Sequence, residues 1–171
     1  MAFEHTAKAF DSDLQELTRL VAEMGGLAER QIVESVDALV RRDVSTASRV
    51  VASDGEIDKL QRDLESHAVL TIARRQPMAV DLRQIVGAMR TATDLERIGD
   101  LAKNNAKRVM QLDSDFNPLQ LIRGLEHMTD LVATQLKSVL DAYAAHDVPA
   151  AMAVWKGDEE VDAICTSLFR E

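Results

Sequence analysis

Helix breakers are scarce in this chain: 3 Pro and 7 Gly in 171 residues. Ala, Leu, Arg, Glu and Gln, which lose little conformational freedom in a helix, are abundant, so long and seldom interrupted helices are expected and the fold class is all-α. A single cysteine, Cys165, excludes an internal disulfide and fits a reducing compartment. No uncharged stretch approaches the roughly 18–20 apolar residues needed to cross a bilayer, and the N-terminus lacks a basic segment followed by an apolar one. The expectation is an unexported, cytoplasmic protein that meets a membrane only indirectly. Basic clusters are also missing. With 20 Lys and Arg against 29 Asp and Glu the net charge is −9, which repels phosphate backbones and excludes a general nucleic-acid grip. Glycine-rich phosphate loops, catalytic triads and Glu-x-x-His pairs are absent too, so nothing points to catalysis.

What is present is helical periodicity with clear punctuation. The first helix runs through Leu14, Leu17, Val21, Met24, Leu27 and Gln31 to Val40, capped at Asp11 or Asp13 unless its pattern begins upstream at Phe3 and Phe10. Gly25 and Gly26 would kink it or admit a close neighbour. Asp43 caps a second helix from Val44 to about Arg75, with Val50, Ile57, Leu60, Leu64 and Ile72 inward. Gln76-Pro77 is a corner, and a third helix spans about Met78 to Gln111. Asn117 is a cap with Pro118 at the first helical position, and Phe116 with Leu121 a hydrophobic staple, before a fourth helix reaching about Ala145. Asp147 caps a fifth, expected to continue from Val148 to the end.

The chain also matches itself. Shifted by 104 positions, Met24, Leu27, Gln31, Asp43, Val50, Asp54, Glu56 and Asp58 fall on Met128, Leu131, Gln135, Asp147, Val154, Asp158, Glu160 and Asp162. About 13 identities across positions 24–67, without a gap, indicate a tandem duplication of a helical unit. The expected units are 1–115, with three helices, and 116–171, with two, the counterpart of the third helix being missing before Glu171. An exposed groove would result, for which a second copy of the chain, giving a homodimer, is one candidate occupant.

The third helix is the most informative. Ile85, Ala88, Ala92, Leu95, Gly99, Ala102 and Ala106 form one small apolar seam suited to close packing. The neighbouring seam of Leu82, Val86, Met89, Thr93, Glu96 and Asp100 is expected to begin in the core and end as acid, with Asn104 one turn further. Glu96 and Asp100 are one turn apart, as are Asp54 and Asp58 on the second helix, with Gln61 and Glu65 continuing that stripe. Two antiparallel neighbours carrying such pairs can converge four carboxylates on a hard or borderline cation. The same spacing also describes an ordinary solvated face whose acids pair with Arg62, Arg90, Arg97 or Lys103. The four dispersed His residues, His5, His67, His127 and His146, read as surface or packing residues. Cys165 reads as a small core residue, the methionines as adaptable core, and Trp155 as a buried or interface aromatic.

The run Pro77-Met-Ala-Val-Asp-Leu-Arg83, then Ala88-Met-Arg90 and Asp94-Leu-Glu-Arg-Ile-Gly-Asp100-Leu-Ala-Lys-Asn104, resembles the signature helix of the PhoU family of phosphate-uptake regulators. Met24-Gly-Gly-Leu27 and the segment Asp54 to Asp58 are similar to that family as well. The resemblance implies tandem three-helix bundles with internal pseudosymmetry, the second here without its last helix. It also implies a multinuclear metal cluster, iron first, with manganese, magnesium or zinc as alternatives. Its ligands would be Asp54, Asp58, Glu96 and Asp100, with Glu56 and Asn104 auxiliary, while a second site retains Asp158 and Asp162, assisted by Glu160. The implied function is a non-enzymatic negative regulator of phosphate uptake and the phosphate-starvation response, an adaptor between the phosphate transporter's ATPase subunit and the phosphate-sensing histidine kinase. A carboxylate-bridged metalloenzyme and a metal-free helical scaffold are the competing readings.

Overall fold

The computed structural model describes the backbone of residues 2–112 and 119–168, and the side chains of 9–112 and 121–168. Six helices lie in the described residues: α1 Ala2–Arg41, α2 Val44–Arg75, α3 Ala79–Val109, α4 Leu119–Ala145, α5 Val148–Lys156 and α6 Asp158–Leu168. The expected Asn117 cap, Pro118, the Phe116 staple and the boundary between the units at 115/116 fall outside the described residues. No helix among them is long and apolar enough to cross a membrane.

α1, α2 and α3 pack mutually into a three-helix bundle, and α4 lies along α1. Leu17, Val21, Met24 and Leu27 of α1, Ile57 and Leu64 of α2 and Ile85 and Leu95 of α3 are buried together. Leu136 of α4 closes this core, with Leu140 and Tyr143 packed against it. A second buried cluster follows at the other end of the bundle. Ala38, Ala47, Val50, Ala102, Ala106 and Val109 are nearly all small there, which lets the backbones approach. Every residue of the small seam on α3 is buried.

Repetition is visible in the turns. Arg42 and His146 take φ of 55° and 54°, the left-handed conformation that stops a helix in one residue. The next residues, Asp43 and Asp147, each return their N–H over 2.9 Å to the carbonyls of Ala38 and Ala142. Asp43 then accepts from the N–H groups of Ser45 and Thr46, and Asp147 from that of Ala150, capping α2 and α5.

Several expectations need correction. Of the two starts offered for α1, the upstream one holds and the caps do not; Asp13 lies inside the helix and accepts from Arg75 Nε at 2.9 Å, joining α1 to the end of α2. At Gly25 the close-neighbour reading holds: α1 continues past it, and an added Cβ there would meet the Leu140 side chain of α4, so its smallness seats α4. Leu82 and Val86 are each 38% exposed, so the second seam of α3 does not begin in the core: α2 and α1 embrace α3 along the alanine seam and leave this flank to solvent. Trp155 is 71% exposed rather than buried, and Met78, Met110 and Met152 are exposed while Met24 is core. Cys165 is half-buried.

The fifth helix is also interrupted, at Gly157. Position 157 repeats Ser53, and the two differ in what they offer a neighbouring glutamine. Gln31 Nε2 donates to the Ser53 hydroxyl at 3.1 Å, whereas Gln135 Nε2 donates to the main-chain oxygen of Gly157 at 2.9 Å. Glycine already weakens a helix by about 1 kcal/mol relative to alanine, and here its carbonyl is drawn sideways.

Candidate metal centre

The acid face follows from the core beneath it. Ile57, between Asp54 and Asp58 on α2, is fully buried, and Gly99, beside Asp100 on α3, is where it lands. A Cβ at Gly99 would lie 3.2 Å from both Ile57 Cδ1 and Cγ2 and 2.9 Å from Gln31 Oε1. A side chain there would press on Ile57 and displace Gln31, so the bare glycine lets α3 close on α2 at this level and the acids flanking the contact come together.

Lys103 shows that they do. Its Nζ donates to Asp54 Oδ2 at 2.7 Å and to Asp100 Oδ1 at 2.6 Å, bridging the two helices with a pair of charge-assisted bonds. Asp54 Oδ1 is buried without a hydrogen-bond partner. Glu96 is raised above the ordinary glutamate range, first by burial and then by the negative fields of Asp100, Asp58 and Asp54, which outweigh the pull of Lys103. Asp100 is lowered, chiefly by its bond from Lys103, and Lys103 is correspondingly raised. All four predicted acids of the first set therefore share one electrostatic neighbourhood. Of the cations considered beside them, Lys103 alone reaches them; among the described residues, Arg62, Arg90 and Arg97 make no ion pair with these acids.

Beneath this face Gln31 ties the three helices. Its Nε2 is bonded to Ser53, next to Asp54, and its buried, unpartnered Oε1 abuts Gly99, next to Asp100. The sequence matches Gln31 to Gln135 in the repeat but assigns it no role; recurrence of a glutamine at corresponding positions was the available signal. Glu56 and Asn104, the proposed auxiliaries, are exposed, while Gln61 and Glu65 are half-buried. Asp158, Glu160 and Asp162 lie exposed along α6, which packs on α4 and α5. His67, read as a surface or packing residue, stands 3.9 Å from Asp13.

Among the described residues no three His, Cys, Asp or Glu side chains are arranged as a metal-holding group. The donor chemistry of the first set nevertheless suits a hard cation: four carboxylates, one with a buried oxygen lacking any donor. Asp54, Asp58, Glu96 and Asp100 would hold such an ion, and a bound cation would supply positive charge to a face that a single ammonium, Lys103, bonds directly.

These features define a repeat-built helical-bundle protein with carboxylate pairs converging across two helices. The PhoU domain model matches residues 21–109. Across all 171 residues the chain is 50% identical to a phosphate-specific transport system accessory protein PhoU homolog of Rhizobium meliloti, covering 72% of that protein. It is 46% identical over 169 residues to a homolog of the same description from Caulobacter vibrioides, covering 73% of it. Crystal structures agree: PhoU from Pseudomonas aeruginosa superposes with a TM-score of 0.88 at 33% identity, over 94% of this chain and 77% of that one. The phosphate transport system regulatory protein PhoU from Streptococcus pneumoniae gives 0.85 at 27% identity, over 93% and 74%. The chain belongs to the PhoU family.

Proposed function

We propose that this chain is a non-enzymatic accessory regulator of phosphate transport. It would act in the cytoplasm as an adaptor between the transporter's ATPase subunit and the phosphate-sensing histidine kinase, and repress uptake and the starvation response when phosphate is plentiful. Identity of 50% over the full chain to a protein named for the phosphate-specific transport system carries this reading. A helical bundle without a catalytic constellation suits an adaptor, whose work is to offer faces to partners. The face formed by Asp54, Asp58, Glu96 and Asp100 is proposed as a cation site, with iron the leading metal. A second set at Asp158 and Asp162 would belong to the unit proposed for 116–171.

Deletion of the gene is expected to derepress phosphate uptake in phosphate-rich medium, and the native protein to co-purify with the transporter ATPase and the kinase; unaltered repression opposes the regulatory role. Metal per chain, measured by elemental analysis on protein purified without chelator, is expected to fall in Asp58→Ala/Asp100→Ala. Equal and negligible metal in both removes the cation site. The metal-free scaffold is the second reading, favoured by the Lys103 bridge, which by itself ties Asp54 to Asp100.

A further inference from the structure

We propose that Lys103 is a tethered counter-cation that occupies the first acid face in the absence of metal and must leave for a metal ion to enter, so that this one side chain sets how tightly the face binds cations. The inference rests on the cation-site reading above and deepens it.

Geometry makes the two occupants exclusive. Lys103 Nζ stands 2.7 Å from Asp54 Oδ2 and 2.6 Å from Asp100 Oδ1. Metal ions bound by carboxylate oxygens lie about 2.0–2.6 Å from them, so an ion using these two oxygens would take the space of the ammonium and be repelled by it. Lys103 can yield. Its side chain is 22% exposed, and its four-carbon stem turns toward solvent without moving α3. It also leaves the face unsatisfied, because Lys103 bonds only Asp54 and Asp100 of the four carboxylates, Lys107 adds only a weaker field at Asp100, and Asp54 Oδ1 stays buried without a donor. The arrangement holds α2 and α3 together when empty of metal and keeps demand for further positive charge.

If the ammonium is seated nine-tenths of the time, the apparent affinity for a competing cation is reduced about tenfold. The test uses Mn²⁺ alone, with free ion counted by electron paramagnetic resonance, on the native chain, Lys103→Met, Lys103→Gln and Asp54→Asn/Asp100→Asn. In parallel, acetylation of Lys103 in the native chain is measured by mass spectrometry with and without Mn²⁺. Expected are binding tightened about tenfold or more in both Lys103 variants, none at this face in the double variant, and several-fold faster acetylation of Lys103 when Mn²⁺ is present. Native binding that is unchanged or weakened in the Lys103 variants overturns the proposal and leaves the cation site standing. Manganese binding no better in the native chain and Lys103 variants than in the double variant overturns both. Should the variants fail to fold, the acetylation of the native chain decides: no change with bound Mn²⁺ overturns the displacement.

Discussion

Glu96 and Asp100 sit one turn apart and respond to their surroundings in opposite directions. Burial and three neighbouring acids push Glu96 above 4.5, its ordinary value. Its contribution to stability is therefore full below 4.5 and is lost as pH rises through the raised value. Glu96→Gln should stabilise the chelated protein at pH 7 by about 0.2–0.5 kcal/mol, as expected for relief of like charges on a helix, and give no gain near pH 4. Asp100, bonded by Lys103, is held below 3.8. Its stabilisation is present above 3.8 and disappears as pH falls through the lowered value, so Asp100→Asn should cost at most about 1 kcal/mol at pH 7 for this partly exposed pair and less at pH 2 than at pH 7. Urea unfolding at the three pH values checks both. The adjacent glycines of α1 separate propensity from packing in the same way. Gly26 is exposed with open space around it, so Gly26→Ala should stabilise by about 0.5–1 kcal/mol. Gly25→Ala should forfeit that gain, because the new methyl meets Leu140. Equal thermal shifts in the two variants would show that α4 is not seated there.

At the scale of whole elements, capping strengths differ between the repeats although the turns coincide. Asp43 accepts three bonds, from the N–H groups of Ser45 and Thr46 and from the Thr46 hydroxyl at 2.6 Å, whereas Asp147 accepts one, from Ala150. Replacing a cap costs typically about 1 kcal/mol, up to about 2; Asp43→Ala is expected at the upper end of that range and Asp147→Ala at the lower, read from chemical denaturation. The boundaries of α2 and α3 and the Asp43 and Asp147 caps were legible in the sequence because they depend on contiguous residues. Where α1 begins was legible only as one of two alternatives, since Asp13 looks like a cap and its partner Arg75 is 62 residues away. The break at Gly157 was equally hidden: it turns on Gln135, one helix earlier.

Across the molecule, burial is unevenly shared. α3 contributes buried residues from Ile85 to Val109, while α5 and α6 contribute none. Hydrogen exchange should accordingly be slowest in α3 and fastest in α5 and α6, because local opening of a helix without buried contacts costs little; comparable protection in the two regions would contradict this packing. The candidate site was half legible. Helical spacing alone shows that Asp54 goes with Asp58 and Glu96 with Asp100, since residues four apart share a face. It does not show that the pairs meet, which depends on Ile57 seating against Gly99, nor that Lys103 reaches over to Asp54.

The amino-acid order by itself determined the extents of α2 and α3, the caps at Asp43 and Asp147 and the alanine seam of α3. Each is a matter of periodicity and short-range hydrogen bonding, settled within a turn or two of chain. Tertiary structure alone decided which flank of α3 faces solvent, that α4 seats at Gly25, and that one lysine stands between two acid pairs. Those outcomes depend on the rotation of one helix about its axis relative to another, and that angle is set by how facing side chains interlock rather than by either helix alone.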